Sequence, residues 1–228
     1  MARADGDSPY SGLILSGNTL YGTTYLAGPY AAGAVFSLPI TGLPIGGTPT
    51  VLANFNVTNG SNPFGGLIRS GNTLYGTTTS GGTYGDGTVF SLPITGGTPT
   101  VLASFDGADG SGPFCSLILS GSTLYGTTLL GGNLTLSNYF GTGDGTVFSL
   151  PITGGTPTVL VSFDGTDGSL PYCTLVDLNN ILYGTTEAGG ANNEGTVFEL
   201  PVPEPAIGSL LLIGSAAMCV RRRRKQLV

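Results

Sequence analysis

Short apolar runs recur along the chain between Gly, Pro, Asn and Asp, and they return in the same order. Within Pro63 to Phe105, residues 66–70 form one run, Gly71-Asn72 a tight turn, and Thr73 to Thr78 a second run. A Gly-rich loop fills 79–86. Thr88 to Ile94 is a third run, and Thr100 to Phe105 a fourth, beyond a Gly-Gly turn. Runs of 5 to 7 residues rich in Val, Ile, Thr, Phe and Tyr, bounded by turn formers, predict strands. The third run alternates, with Thr88, Phe90 and Leu92 on one face and Val89, Ser91 and Pro93 on the other. Such short connections demand antiparallel hairpins.

One phrase stamps each copy. Leu-Tyr-Gly-Thr-Thr, then Gly-Thr-Val-Phe-Ser-Leu-Pro or a close variant, occurs at Leu20 to Thr24 with Gly33 to Pro39, and at Leu74 to Thr78 with Gly87 to Pro93. It returns at Leu124 to Thr128 with Gly145 to Pro151, and at Leu182 to Thr186 with Gly195 to Pro201. The tyrosines at 21, 75, 125 and 183 are 54, 50 and 58 residues apart. A four-stranded antiparallel unit of about 50 residues has the size of a propeller blade. Parallel β-helix coils are much shorter and have no room for two tight hairpins, and a two-sheet sandwich would not need near-identical units. The expectation is therefore all-β: a β-propeller-like array of about four four-stranded blades over residues 1–202. The last unit stops after its third strand, which makes 15 strands.

Ala4 to Tyr10 aligns with Ala108 to Phe114, in mid-repeat, so the chain is read as starting inside a repeat and without a signal peptide. The loop 129–144 is eight residues longer than its counterpart 79–86 and carries Leu134, Leu136, Tyr139 and Phe140. It is read as packing its own small core, with ligand contact as the alternative, since propeller insertions collect on one face.

Composition narrows the function. Histidine is absent, which removes the commonest general base and transition-metal ligand and weighs against an enzyme. The first 202 residues hold two basic residues (Arg3 and Arg69) against 12 acids, a charge of −10 that repels nucleic acid. Cys115 and Cys173 occupy one repeat position and read as small core thiols. The four repeat tyrosines could stack on sugar rings, but recurrence in every copy favours a packing role. Asp106 and Asp109, with Asp164 and Asp167, are Ca²⁺ candidates, closely spaced carboxylates beside glycine. Asp-Gly is first a turn former, however, and Asn56 and Asn59 hold the same places without charge.

The tail differs from everything before it. Pro203, Glu204 and Pro205 precede the apolar, uncharged stretch 206–220, and then Arg221, Arg222, Arg223, Arg224 and Lys225. Fifteen residues make a short transmembrane helix, which the arginines would extend by snorkelling, with the basic run on the cytoplasmic side. Segment 203–228 closely resembles the PEP-CTERM sorting signal of Gram-negative bacteria. The resemblance implies recognition by an exosortase near Pro203 to Pro205, transient anchoring in the inner membrane, then the cell surface or extracellular space. The repeats resemble the GloVer-type tandem repeat of "choice-of-anchor" exported proteins, through Tyr-Gly-Thr-Thr, Gly-Gly and Gly-Thr-Val-Phe at 75–90, 125–148 and 183–198. The first copy departs, with Ala34 in place of Thr and no Gly-Gly pair.

Together these features predict an exported surface or matrix repeat protein, structural, adhesive or ligand-binding, with extracellular polysaccharide as a candidate partner. Two alternatives stay open: a secreted carbohydrate-active propeller enzyme with paired carboxylates, and a Ca²⁺-dependent glycan-binding module.

Overall fold

The computed structural model describes residues 7–26, 28–40, 48–135, 137–138 and 141–202. Residues 203–228, hence the sorting motif, the apolar stretch and the basic run, lie outside them, as do Leu136, Tyr139 and Phe140. Among the described residues no helix is long and apolar enough to cross a membrane.

The strands fall where the alternation places them. Blade 1 contains β1 (Ile14–Ser16), β2 (Thr19–Thr24), β3 (Ala34–Pro39) and β4 (Thr50–Asn54). Blade 2 contains β5 (Ile68–Ser70), β6 (Thr73–Thr78), β7 (Thr88–Pro93) and β8 (Thr100–Ser104). Blade 3 contains β9 (Ile118–Ser120), β10 (Thr123–Thr128), β13 (Thr146–Pro151) and β14 (Thr158–Ser162). Blade 4 has β15 (Val176–Leu178), β16 (Ile181–Thr186) and β17 (Thr196–Pro201). Each blade is an antiparallel meander in chain order, so the 15 strands expected from the repeat are present. The long third loop adds a short hairpin of its own, β11 (Ser137–Asn138) with β12 (Gly141–Thr142).

The repeated phrase has a steric reason. Gly76 in β6 pairs with Phe90 in β7, and a Cβ there would stand 2.8 Å from the Phe90 ring. Gly22 with Phe36 and Gly126 with Phe148 repeat the arrangement. The glycine is thus the floor on which the next strand's phenylalanine lies. In blades 1 to 3 the ladder between third and fourth strands slips by one residue, as between Val89 and Phe90, leaving Leu52, Leu102 and Leu160 as bulges. Two bulges are used between blades: the Leu52 carbonyl accepts from Gly97 N–H and the Leu102 carbonyl from Gly155 N–H, both at 3.0 Å.

The core lies between blades. Tyr21, Val35, Ala53 and Phe55 of blade 1 pack on Leu67, Leu74, Phe90 and Leu92 of blade 2. The second and third interfaces repeat this with equivalent residues. Edge-to-face rings cross each one, Phe55–Phe90 at 4.9 Å, Phe105–Phe148 at 5.0 Å and Phe163–Phe198 at 5.2 Å. Tyr21, Tyr75 and Tyr125 are buried in these clusters, which gives these three repeat tyrosines the packing role, while Tyr183 is half-buried.

A threonine pair pins the far end of the β2-type strand. Thr78 and Thr88 hydroxyls lie 2.8 Å apart, Thr128 and Thr146 2.8 Å, and Thr186 and Thr196 2.9 Å. The first member of each also donates to a loop carbonyl, of Ser80, Leu130 and Ala188 respectively. In blade 1 Ala34 stands at the second position, and the buried Thr24 hydroxyl opposite it has no hydrogen-bond partner.

Candidate ligand-binding site

The residue two places after the isolated bridge that opens each unit is proline, followed by an aromatic: Pro9-Tyr10, Pro63-Phe64, Pro113-Phe114 and Pro171-Tyr172. Before each proline sits a residue in the left-handed region, Ser8 (φ 59°), Asn62 (φ 59°), Gly112 (φ 61°) and Leu170 (φ 57°). This backbone costs a non-glycine residue about 1 kcal/mol, and hydrogen bonds on both sides hold it. Asn62, Gly112 and Leu170 donate N–H to Ala32, Asp86 and Asp144 carbonyls of the preceding blade, at 2.7, 2.9 and 2.9 Å. Their own carbonyls accept from Thr79, Leu129 and Glu187 N–H within their blade. In the two later copies a side chain reinforces the junction: Ser111 donates to Asp86 Oδ1 and Ser169 to Asp144 Oδ1, each at 2.6 Å.

The kink turns all four aromatics to one place. Ring centroids are 5.1 Å apart for Tyr10–Phe64, 5.3 Å for Phe64–Phe114, 5.4 Å for Phe114–Tyr172 and 6.0 Å for Phe64–Tyr172. Tyr25 closes edge-on over Tyr10 at 5.4 Å. The first strands of neighbouring blades approach closely beneath: a side chain at Gly65 would strike the Cys115 backbone, and Gly66 N–H donates to Ser116 Oγ at 2.8 Å. Tyr10 is 60 % exposed and Tyr172 44 %, with Phe64 and Phe114 half-buried between them. One aromatic from every blade thus forms an open platform where the inner strands begin. Burial raises the Tyr172 hydroxyl's pKa, with smaller contributions from Cys115 and Glu187.

Cys115 and Cys173 follow Phe114 and Tyr172 in the chain, both as free thiols, Cys115 buried and Cys173 half-buried. Burial pushes the Cys115 thiol up to about 11.

The four aspartates singled out from the sequence are turn acceptors. Asp106 Oδ1 accepts from Ala108 and Asp109 N–H, while Asp109 Oδ1 accepts from Asp106 N–H. Asp164 and Asp167 repeat the pattern, and so do Asn56 and Asn59. The carboxylates are not gathered into one site. Among the described residues no three acids or thiols come together as a metal site would require. Burial raises Asp109 to about 6, helped by the Asp106 charge, whereas hydrogen bonds, first that from Thr166, hold Asp164 below the usual carboxylate value.

Leu134 and Thr142 line a cleft of about 360 Å³ with Asp86, Asp106 and Ser111. Asp86 reaches it with one oxygen already held by Ser111. Of the inserted loop's apolar residues, Leu134 lies among the described residues and is 47 % exposed. The repeat tyrosines drew the eye in the sequence, yet the accessible rings belong to the Pro-aromatic dipeptides. Their signal was available, as a dipeptide in strict register ahead of every first strand.

The model of the Gloeobacter/Verrucomicrobia repeat matches residues 1–140 and 43–211, and that of the PEP-CTERM protein-sorting motif matches 201–225. No curated protein matches the chain. Among solved structures it is similar to TolB from Agrobacterium tumefaciens, at 15% identity and TM-score 0.50, over 81% of this chain and 55% of that one. It is also similar to the quinohemoprotein alcohol dehydrogenase ADHIIG from Pseudomonas putida HK5, at 12% identity and TM-score 0.52, over 82% of this chain and 29% of that one. The chain therefore spans about half of the first of these two structures and under a third of the second, and the likeness concerns the propeller-like fold.

Proposed function

Because this chain belongs to the Gloeobacter/Verrucomicrobia repeat family and carries a PEP-CTERM protein-sorting motif, we propose that it is an exported surface repeat protein that binds extracellular polysaccharide without transforming it. The convergence of Tyr10, Phe64, Phe114 and Tyr172 on one open platform carries this reading. An aromatic face is electron-rich, and the C–H face of a pyranose is weakly electropositive and apolar, so the two stack without any charged group. Exposed aromatic patches on otherwise polar β-proteins mark binding surfaces. A ring supplied by every blade suits a repeating polymer better than a single small molecule.

The lack of histidine supports binding over catalysis. So does the cleft beside Asp86 and Asp106, whose known oxygen partners are structural. On this reading the tail delivers the protein: Pro203 to Pro205 are presented to an exosortase while the stretch 206–220 and Arg221 to Lys225 hold the chain at the inner membrane. Deleting 203–228 leaves a folded repeat body that no longer reaches the surface.

Titration of the protein with extracellular polysaccharide fractions, followed by tyrosine fluorescence, tests the binding. The absence of tryptophan makes the tyrosines the reporters. Tyr10→Ala and Tyr172→Ala each weaken binding by about fivefold if one ring contributes on the order of 1 kcal/mol. Binding that survives both substitutions together would remove the platform from the reading. Release of shorter glycans during the incubation would replace binding by hydrolysis.

A further inference from the structure

The charges around the aromatic platform are of one sign. Its central rings, Phe64 and Phe114, lie 5.3 Å apart and belong to the two middle blades, each packed between neighbours on either side. Beside them the fold places acids. The Asp86 carbonyl accepts from Gly112 N–H, directly ahead of Pro113-Phe114, and the Asp144 carbonyl from Leu170 N–H, directly ahead of Pro171-Tyr172. Both carboxylates stay at these kinks, held by Ser111 and Ser169 at 2.6 Å. Glu187 is exposed, and its N–H donates to the Leu170 carbonyl at 3.1 Å. Burial chiefly raises the Tyr172 hydroxyl's pKa, and Glu187 adds to the rise after Cys115, so its charge is felt at that ring.

No cation answers these acids among the described residues. The one basic side chain there is Arg69, on β5 opposite Leu74 and next to the Gly71-Asn72 turn. That turn closes the end of the β5–β6 hairpin away from Phe64, whose end is marked by Thr79 N–H donating to the Asn62 carbonyl. A sugar carboxylate or sulfate laid on the rings would therefore lose water without gaining a partner. It would also face like charges, which suppress binding of the wrong ligand. An uncharged pyranose meets neither cost, because its C–H face stacks on a ring without a counter-charge. Resting on the reading of the platform as a glycan site, we propose that it selects uncharged polysaccharides and turns acidic ones away. Stacking then carries the affinity, so salt has little influence on the favoured ligand, whereas repulsion of a polyanion is screened by salt.

Tyrosine fluorescence titration of the full chain tests this with two sets of oligosaccharides of matched length. One set is neutral (cello-, xylo- and laminari-oligosaccharides), the other acidic (sodium salts of alginate and polygalacturonate oligomers). Each is measured at about 0.02 M and about 0.5 M NaCl, on either side of physiological screening. A neutral oligosaccharide binds with a Kd that salt moves by less than about threefold, and the acidic ones bind at least about tenfold more weakly at low salt. An acidic oligomer that binds as tightly as the best neutral one overturns the selectivity while leaving the platform as a glycan site. A larger salt effect on the neutral ligand also overturns it, since charge and not stacking would then carry the affinity. The glycan reading itself fails instead if no member of either set binds, or if binding survives Tyr10→Ala and Tyr172→Ala together.

Discussion

The same substitution at two equivalent threonines should change stability in opposite directions. Thr78→Val in blade 2 keeps shape and volume but removes a hydroxyl that is buried, donates to the Ser80 carbonyl at 3.0 Å and lies 2.8 Å from Thr88 Oγ1. Losing one buried hydrogen bond costs about 1 kcal/mol, and leaving a buried partner unpaired adds about 1–3 kcal/mol. Among the described residues Thr88 Oγ1 has no other hydrogen-bond partner, so a loss of roughly 2 kcal/mol is expected. Thr24→Val in blade 1 removes a hydroxyl that is equally buried but has no partner, because Ala34 stands where the other blades have threonine. There the penalty of an unsatisfied polar group disappears, and the protein should gain about 1 kcal/mol. Urea unfolding measures both, as a shift in midpoint at constant slope. In a chain of this size each kcal/mol moves the thermal midpoint by about 2–4 °C. Ala34→Thr should recover the same gain by supplying the hydroxyl partner that Thr88, Thr146 and Thr196 supply in the other blades. If Thr24→Val and Thr78→Val destabilise equally, the pair is not a polar clamp and the reasoning fails.

Further outcomes follow from the same geometry. Gly126→Ala brings a methyl within 2.8 Å of the Phe148 ring and should cost about 1–3 kcal/mol by overpacking, seen as a lower urea midpoint; unchanged stability would mean that the ring does not lie on the glycine. Asp109 is raised to about 6 in the folded protein, so folding favours its protonated form. Its contribution to stability is therefore greatest below the ordinary carboxylate range and is lost as pH rises from about 4 through about 6. Asp109→Asn, which copies the natural Asn59, should flatten that part of the pH–stability curve. Ca²⁺ should leave the melting temperature where a chelator leaves it, because Asp106, Asp109, Asp164 and Asp167 already accept backbone N–H groups. A rise of several degrees with Ca²⁺ would restore the metal reading of those loops.

Much of the fold was legible in the chain. Strand positions depend on local alternation and on Gly, Asn and Asp at turns, and every copy repeats them, so an error in one would be corrected by three others. The β11–β12 hairpin escaped because the insertion has no counterpart in the other copies to compare with. The tail was legible for a different reason, its order of motif, apolar stretch and cations being read along the chain and not in space.

The binding platform was not legible in that way. Tyr10, Phe64, Phe114 and Tyr172 are separated by 54, 50 and 58 residues, and the proline before each marks a repeat position without showing that the four rings meet in space. Only the radial arrangement of blades, with a left-handed residue ahead of each proline, turns them toward one another. Val147 and Val197 make the same point. Each follows Gly-Thr and precedes Phe, yet one is 0 % exposed and the other 65 %. The sequence by itself determined that each valine lies in a strand and on which face, because side-chain alternation is a property of the local backbone. Whether that face is core or surface was decided by the neighbouring blade, because burial is a property of what packs against it.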